Sequence, residues 1–151
     1  MLRLSKKADY GLIAIMHLAS SGPGRSASAK EIAEAYHLPP PLLAKVLQKL
    51  TRGGFLAAAY GTNGGYKLAM DAGRISVLQV IRAIDGPVFL TSCSDLEANC
   101  SQTTRCTARG PLEKIREDIL RLLDSITIEE MSAGRRQEAP LVEISAARAI
   151  L

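Results

Sequence analysis

The chain is poor in aromatic residues: its 151 residues include four tyrosines, two phenylalanines and no tryptophan. Proteins that bind single-stranded nucleic acid stack the bases on aromatic side chains, so this scarcity counts against that class. Lysine and arginine exceed aspartate and glutamate by 19 − 15 = +4, and the isoelectric point is near 9.1. A basic balance favours a polyanionic partner. Double-stranded DNA is therefore the better-supported polyanion.

Long apolar stretches and enzyme motifs are also missing. No run approaches the roughly 18 residues that span a bilayer. The opening MLRLSKKADYGL has no apolar stretch followed by a small-residue cleavage site, as a signal peptide would have. There is no G-x-S-x-G nucleophile motif and no P-loop. The sequence thus predicts a cytoplasmic protein that has no membrane contact and is not an enzyme.

Cysteine is scarce, and all three cysteines lie in one stretch between Pro87 and Pro111. Cys93, Cys100 and Cys106 have the spacing C-x6-C-x5-C. The stretch shows neither a helical nor a strand period. A structureless loop of this length is usually a functional element or a disordered segment. The clustering of the cysteines favours a functional element.

Three interpretations of these thiols are open. A disulfide with one thiol left over suits an oxidising compartment, which the missing signal peptide argues against. Inert buried cysteines would fall on apolar faces, whereas these stand among serine, aspartate, glutamine and threonine. Metal or cluster ligation is favoured, ahead of a thiol redox switch. Zinc prefers closer cysteine pairs, whereas wide gaps suit an iron–sulfur cluster, which normally has four protein ligands. A fourth ligand other than cysteine is then required.

Three helices are predicted in the first third of the chain. Ser5 is a good N-cap for a helix over Lys6–Ser20, in which apolar residues recur at helical spacing. The capping box Ser28-x-x-Glu31 opens a short second helix. After a run of prolines, a third helix is predicted over Pro41–Arg52. A short helix, a tight break and a second helix have the order of a helix-turn-helix motif, whose second helix enters the major groove of DNA.

The third helix is amphipathic. A solvated surface is the commoner role for a charged face, but the helix-turn-helix order makes this one a candidate DNA surface. Lys45, Lys49 and Arg52 are predicted to meet the major groove or its flanking phosphates. Gln48 is the expected base reader, because its amide can pair with adenine. The opposite face predicts a buried stripe of Leu42, Leu43, Val46, Leu47 and Leu50.

A β-hairpin is predicted next. FLAAAYGTNGGYKLAM contains two short strand-like runs around Asn-Gly-Gly, which is a strong hairpin signal. Taken alone, this is an ordinary turn. Directly after a helix-turn-helix it predicts a wing, whose glycines let the backbone approach a phosphate or enter the minor groove. The candidate wing contacts are Tyr60, Thr62, Asn63 and Lys67.

Two further helices follow. Ser76 is the N-cap of a predicted helix over Val77–Asp85. After Pro111, apolar residues recur at spacings of three and four, the a/d pattern of about two heptads. Core packing within the monomer is one interpretation. Because DNA readers with one winged helix usually dimerise to bind a paired half-site, we assign this helix to a homodimer interface of Leu112, Ile115, Ile119, Leu122 and Ile126.

The predicted fold is mainly α, a winged helix-turn-helix DNA-binding domain with a long C-terminal dimerisation helix. We expect a DNA-binding domain over residues 1–70, a cysteine-containing sensor and dimerisation region over 71–132, and a flexible tail over 133–151. A capping box at Thr127 and Glu130 predicts one more short helix at the end of the second region.

Several of these segments together resemble the Rrf2 family of bacterial winged-helix regulators: MLRLSKKADYGL, KVLQKLTRGGFL, the wing YGTNGGYKLA, ISVLQVIRAIDGP and the three-cysteine stretch. The likeness covers about residues 1–132 and is nearest to regulators of iron–sulfur cluster assembly. It implies a homodimeric repressor or activator whose affinity for a DNA operator depends on a bound iron–sulfur cluster, [2Fe-2S] or, in some members, [4Fe-4S]. It also implies that Cys93, Cys100 and Cys106 are the cluster thiolates.

The fourth ligand differs between branches of this family. The IscR branch has a histidine three residues after the last cysteine, but Arg109 stands there, and arginine is not deprotonated in proteins. The NsrR branch uses an aspartate near the start of the first helix of the partner subunit, and Asp9 stands at the matching place. An aspartate in a first turn can also simply complement the helix dipole. The resemblance implies Asp9 as the ligand, with His17 and His37 as other candidates.

Three functions compete. The favoured one is a cluster-sensing transcription regulator of iron–sulfur assembly or of a redox or nitric-oxide response. The second is a regulator that senses thiol oxidation without a metal. The third is a small iron–sulfur redox protein, which would need the cysteines but not a basic helix and a glycine-rich wing. Ala44 and Tyr60 replace a glutamate and an arginine of some relatives, so an operator sequence cannot be transferred.

Overall fold

Three helices and a β-hairpin form the first half of the fold in a computed structural model that describes residues 4–61, 64–89, 101 and 105–134. These elements are α1 Lys6–Ser20, α2 Ala29–Tyr36, α3 Pro40–Arg52, β1 Leu56–Ala59 and β2 Gly65–Leu68. After a short 3-10 turn come α4 Val77–Asp85, α5 Arg109–Ser125 and α6 Ile128–Ala133. This order confirms the predicted fold class. Most of the predicted tail, from residue 135 onwards, lies outside the described residues.

The helix starts follow from the side-chain caps that the sequence predicts. Ser5 Oγ accepts a hydrogen bond from the Ala8 amide at 3.1 Å. Capping boxes are present at Ser28, Ser76 and Thr127, where the cap side chain and the side chain three residues later each accept from a backbone amide. Each box pairs amides that have no partner within the helix. The starts of four helices are therefore determined locally, and their predicted caps are confirmed.

The break between α2 and α3 is a tight backbone turn. His37 adopts the left-handed conformation, with φ of 52°, and the Leu38 amide donates to the Ala33 carbonyl at 2.9 Å. α3 begins at Pro40, one residue earlier than predicted, because a proline in the first helical turn needs no amide partner. α2 and α3 together form the predicted helix-turn-helix.

One hydrophobic core joins the winged helix to α4 and α6. Leu43, Val46, Leu47 and Leu50 of the predicted stripe are fully buried, whereas Leu42 is half-buried. The core also contains buried residues of α1, α4 and α6, among them Ile15, Leu18, Ile81, Ile84 and Ile128. The proposed division of the chain at residue 70 therefore crosses a continuous core, and it stays a prediction.

The hairpin is attached to the residues that precede α2. β1 and β2 are antiparallel, with Ala58 opposite Tyr66. Ala27 adds a bridge: its amide donates to the Tyr66 carbonyl at 3.0 Å, and the Tyr66 amide donates back at 2.9 Å. A Cβ at Gly65 would lie 2.4 Å from the Ala27 carbonyl oxygen, so this close approach requires glycine. The bridge fixes the hairpin relative to the helix-turn-helix.

The C-terminal end of α5 is attached to the start of α4. Two backbone hydrogen bonds of 2.9 Å join residues 75–77 to residues 126–128, and Ser76 Oγ donates to Asp124 Oδ1 at 2.7 Å. No residue of α5 is buried. Ile126, which the sequence assigns to the dimer seam, packs against the core of its own chain. Among the described residues, no helix is long and apolar enough to cross a bilayer.

We expect Asp124→Ala to lower the free energy of unfolding by about 1–2 kcal/mol, because the buried Ser76 hydroxyl loses its acceptor. Asp118→Ala is the control, since Asp118 pairs with Arg121 on the exposed side of the same helix and should change stability by less than about 0.5 kcal/mol. Urea unfolding at a single protein concentration measures both variants. Equal losses would show that the Ser76–Asp124 hydrogen bond does not hold α5 to α4.

Candidate nucleic-acid interface

An open groove lies between α3 and the hairpin, with a volume of about 330 Å³. Gln48, Thr51 and Arg52 line it from α3, and Ala58 and Tyr66 line it from the hairpin. Residues three and four apart share one side of a helix, and directly opposed residues share one face of a hairpin. The groove therefore joins the predicted recognition helix to the predicted wing.

Three of the predicted contacts on α3 share one side of the helix, and two of them, Gln48 and Arg52, line this groove. Lys45, Gln48 and Arg52 are all exposed, and their spacing of three and four residues places them along one side of the helix. Arg52 Nε donates to the Gln48 carbonyl at 3.4 Å. Two cations flanking an amide can combine phosphate contacts with base recognition.

Lys49 departs from this arrangement. Its Nζ donates to the Ile84 carbonyl oxygen at 2.6 Å, so the ammonium group is directed to the last turn of α4. Sequence reasoning had placed Lys49 with the other cations of α3 as a DNA contact. The DNA contact of Lys49 stays a prediction, and the hydrogen bond to Ile84 is a second interaction of the same side chain.

The wing residues are divided by the structure. Tyr60 is 95% exposed at the end of β1. Lys67 is half-buried and follows Tyr66 directly, so it points to the opposite face of the strand from the groove. Lys67 is thus not among the residues that line the groove. Thr62 and Asn63 lie outside the described residues.

Thr51, Ala58 and Tyr66 line the groove but were missed as candidates. The Thr51 hydroxyl donates to the Leu47 carbonyl at 2.8 Å, which is an ordinary bond of threonine within a helix. Ala58 has no polar side chain, so its residue type does not indicate a binding role. The hairpin register could have found the pair, because strand alternation places Ala58 and Tyr66 on the same face once the turn is located.

The candidate cluster ligands are described only in part. Cys93 and Cys100 lie outside the described residues. Cys106 is exposed with a free thiol, three residues before the start of α5, and Asp9 is exposed in the first turn of α1. Within the described part of the chain, no three residues of histidine, cysteine, aspartate or glutamate are grouped so as to hold a metal ion.

The end of α4, where the cysteine-containing stretch begins, lies against the start of α1. Ser5 Oγ donates to Asp85 Oδ1 at 2.7 Å. Asp85 is the last residue of α4, and the C-cap residue Gly86 has a φ of 85°, which suits glycine. Asp9 is one turn further along α1. The helix that carries the candidate carboxylate is therefore in contact with the residue that precedes the stretch.

The two histidines have different surroundings. His17 Nδ1 is 3.1 Å from the Tyr36 hydroxyl, and the two rings meet edge to face with centroids 5.6 Å apart. This pair joins α1 to α2. His37 is exposed in the break between α2 and α3. His17 thus already has a structural partner, which weakens its candidacy as a ligand.

Two carboxyl groups have lowered pKa values, and both are in local pairs. A hydrogen bond from the Ser28 amide holds the pKa of Glu31 below its usual value. A hydrogen bond from Arg116 lowers the pKa of Glu113 on α5. Both carboxylates are therefore ionised at neutral pH, and their contribution to stability is lost as the pH falls through these pKa values.

Comparison with known proteins agrees with this architecture. The model of the Rrf2 family, described as an iron-dependent transcriptional regulator, matches residues 4–134. IscR of T. potens is 32% identical, over 92% of this chain and 93% of that chain, with a TM-score of 0.69. CymR of B. subtilis, the global cysteine regulator, is 26% identical over 88% of this chain and 98% of that chain, with a TM-score of 0.73.

The oxidised form of CymR from S. aureus is similar as well, at 25% identity over 86% of this chain and 95% of that chain, with a TM-score of 0.69. The family model spans most of the chain, and the winged helix-turn-helix, the hairpin and the long α5 occur in the order that the resemblance implies. The chain therefore belongs to the Rrf2 family of DNA-binding transcription regulators, which are not enzymes.

Proposed function

We propose that this regulator binds a double-stranded DNA operator as a homodimer, and that an iron–sulfur cluster sets its affinity for DNA. The cluster would be held by Cys93, Cys100 and Cys106 together with Asp9 of the partner subunit. The observation that carries the DNA-binding part of the proposal is the groove between α3 and the hairpin, which is lined by the exposed Gln48 and Arg52. The regulated process would be iron–sulfur cluster assembly or a redox or nitric-oxide response.

The DNA contacts would be shared between α3 and the wing. Arg52 lines the groove and Lys45 is exposed on the same side of α3, and their positive charges suit phosphates. Gln48 lies between them along the helix and carries the amide that can pair with a base edge. Tyr60, with Thr62 and Asn63 after it, would meet the backbone or the minor groove beside the helix. Lys67 completes the predicted wing contacts. Lys49 was predicted with them, but its ammonium group donates to the Ile84 carbonyl oxygen.

Homodimerisation would occur through the apolar side of α5. Ile115 is 48% exposed and Leu122 is 60% exposed, and Leu112 and Ile119 are half-buried on the same helix. A row of partly exposed aliphatic side chains at a/d spacing is the pattern of a helix that packs on another helix. Two copies of α5 would remove these side chains from water and set the spacing of the two recognition helices.

The donor set suits an iron–sulfur cluster. Three thiolates and one carboxylate supply four ligands, mostly sulfur, as such clusters require. Cys106 is exposed and free, three residues before the start of α5. The Asp9 carboxylate is exposed and is a harder ligand than a thiolate, so we expect its bond to be the weakest of the four. When bound, the cluster would make the protein responsive to iron, oxygen or nitric oxide.

A metal-free thiol regulator is the second candidate. It is favoured by the likeness to S. aureus CymR, which has been solved in an oxidised form, and by the exposure of the Cys106 thiol. Exposed thiols of low pKa can be oxidised reversibly. The earlier alternative of a small redox protein is set aside, because the chain belongs to a family of transcription regulators.

Lys45→Ala should weaken DNA binding and lower the dependence of log Kd on log salt by about one unit, because one phosphate contact is lost. Lys114→Ala on α5 removes the same charge outside the groove and should leave the slope unchanged. Fluorescence anisotropy at several salt concentrations, on a fragment that the wild-type protein selects from random DNA, measures both slopes. Two equal slopes would mean that this face of α3 does not bind DNA.

Leu122→Glu should give monomers, because a charge would be buried without a partner in the seam between two copies of α5. The side chain is largely exposed in the single chain, so the fold should be retained. Arg121→Gln, which changes the net charge by the same amount at the neighbouring exposed position, should remain dimeric. Sedimentation velocity distinguishes the two results, and a dimeric Leu122→Glu protein would place the interface elsewhere.

Replacing any one of the three cysteines by serine should abolish the visible absorbance and the bound iron and sulfide of protein purified without oxygen. Asp9→Ala should retain a cluster of altered spectrum or shorter lifetime in air, while His37→Ala should match the wild type. An unchanged spectrum and lifetime in Asp9→Ala would mean that another group is the fourth ligand. Colourless wild-type protein without iron would instead favour the thiol-based alternative.

A further inference from the structure

The hydrogen bond between Lys49 and Ile84 joins the recognition helix to α4. The two residues are 35 positions apart in the chain, and Lys49 Nζ lies 2.6 Å from the Ile84 carbonyl oxygen in a partly buried place. The last carbonyls of a helix have no partner within it, and the negative end of the helix dipole attracts a cation. The Lys49 ammonium group therefore donates to a carbonyl that has no partner within α4, and it places a positive charge at the negative end of the helix dipole.

The side chain of Ile84 extends the same connection. It is 2% exposed, and a Cβ built at Gly11 of α1 would lie 2.1 Å from Ile84 Cδ1 and 3.3 Å from Val46 Cγ1 of α3. α1, α3 and α4 thus cross at this point. The buried side chain of Ile84 thus lies beside the same glycine as Val46 of the recognition helix, and Lys49 of that helix donates to the Ile84 carbonyl oxygen.

We propose that Lys49 is a positioning residue, which holds the recognition helix in register with the last turn of α4 and does not contact phosphate. The proposal rests on the proposed DNA-binding role of α3. A lysine ammonium that binds a backbone carbonyl has one of its three donors engaged, and moving it to a phosphate would leave the Ile84 carbonyl without this partner. The cysteine-containing stretch follows α4 directly in the sequence. A displacement of α4 would therefore be transmitted to α3 through this hydrogen bond.

Lys45 and Lys49 separate the two roles. They lie one turn apart on the same helix and both are exposed overall, but of the two only Lys49 has a hydrogen bond to α4. Methionine has an unbranched side chain without a hydrogen-bond donor, whereas arginine has a cationic donor at the end of a side chain of similar length. The informative variants are therefore Lys49→Met, Lys49→Arg and, as the matched control, Lys45→Met.

The experiment compares two probes, the DNA fragment that wild-type protein selects from a random library and a scrambled fragment of the same composition. For Lys49→Met we expect Kd for the selected fragment to rise about tenfold. This is the loss expected when a shift of the recognition helix breaks one base contact. Kd for the scrambled fragment and the salt slope should stay at wild-type values, and Lys49→Arg should restore selectivity. Lys45→Met should weaken both fragments together and lower the slope by about one unit.

Three outcomes would overturn the proposal. If Lys49→Met weakens both fragments and lowers the salt slope by one unit, Lys49 is a phosphate contact. If it lowers the thermal midpoint but leaves both affinities unchanged, the hydrogen bond serves stability alone. If Lys49→Arg binds the selected fragment as poorly as Lys49→Met and does not restore selectivity, the lost hydrogen bond to Ile84 is not the cause of the lower selectivity. Failure of the proposed function is distinct, since the wild-type protein would then select no fragment.

Discussion

The close crossing of α1, α3 and α4 at Gly11 is the constraint on which the rest of the structure depends. No side chain larger than hydrogen fits there without moving Ile84, because an added Cβ would approach its terminal methyl group to 2.1 Å. Side chains of α3 and α4, Val46 and Ile84, therefore both lie beside the backbone of α1. The crossing joins the helix-turn-helix to α4 in one core, so the recognition helix and the end of α4 are not independent bodies.

The nucleic-acid interface follows from that core through two local attachments. Buried leucines and a valine anchor one side of α3, which leaves its polar side in the groove. The bridge from Ala27 to Tyr66 holds the hairpin against the residues before α2. Together they place Gln48 and Arg52 opposite Ala58 and Tyr66. The basic surface is thus built on elements whose positions are determined by packing.

α5 is joined to the start of α4 at its C-terminal end. Ser76 is at once the N-cap of α4 and the donor to Asp124, so the start of α4 and the end of α5 share one buried hydroxyl. The remainder of α5 exposes Ile115 and Leu122. A helix with partly exposed apolar side chains at a/d spacing is well suited to pack on a second helix. Cys106 lies three residues before the first residue of this helix.

The sequence by itself determined the local features of this protein. Serine and threonine caps set the starts of α1, α2, α4 and α6, because a cap needs only residues within one turn. Helical periodicity identified the buried stripe of α3. The resemblance to the Rrf2 family was carried by segments from MLRLSKKADYGL to the three-cysteine stretch. Caps and periodicity act over a few residues, and a resemblance depends on the order of residues, so all of these can be read without coordinates.

Only the tertiary structure decided which distant residues meet. No local pattern distinguishes Lys49 from Lys45, yet Lys49 reaches a carbonyl 35 residues away. Ile126 continues the a/d spacing of α5 and also packs against the core of its own chain, because residues 75–77 pair with residues 126–128 through backbone hydrogen bonds. Ala58 and Tyr66 line the groove because hairpin register and core packing direct them towards α3. Each result depends on how separate elements pack, which is a property of the folded chain as a whole.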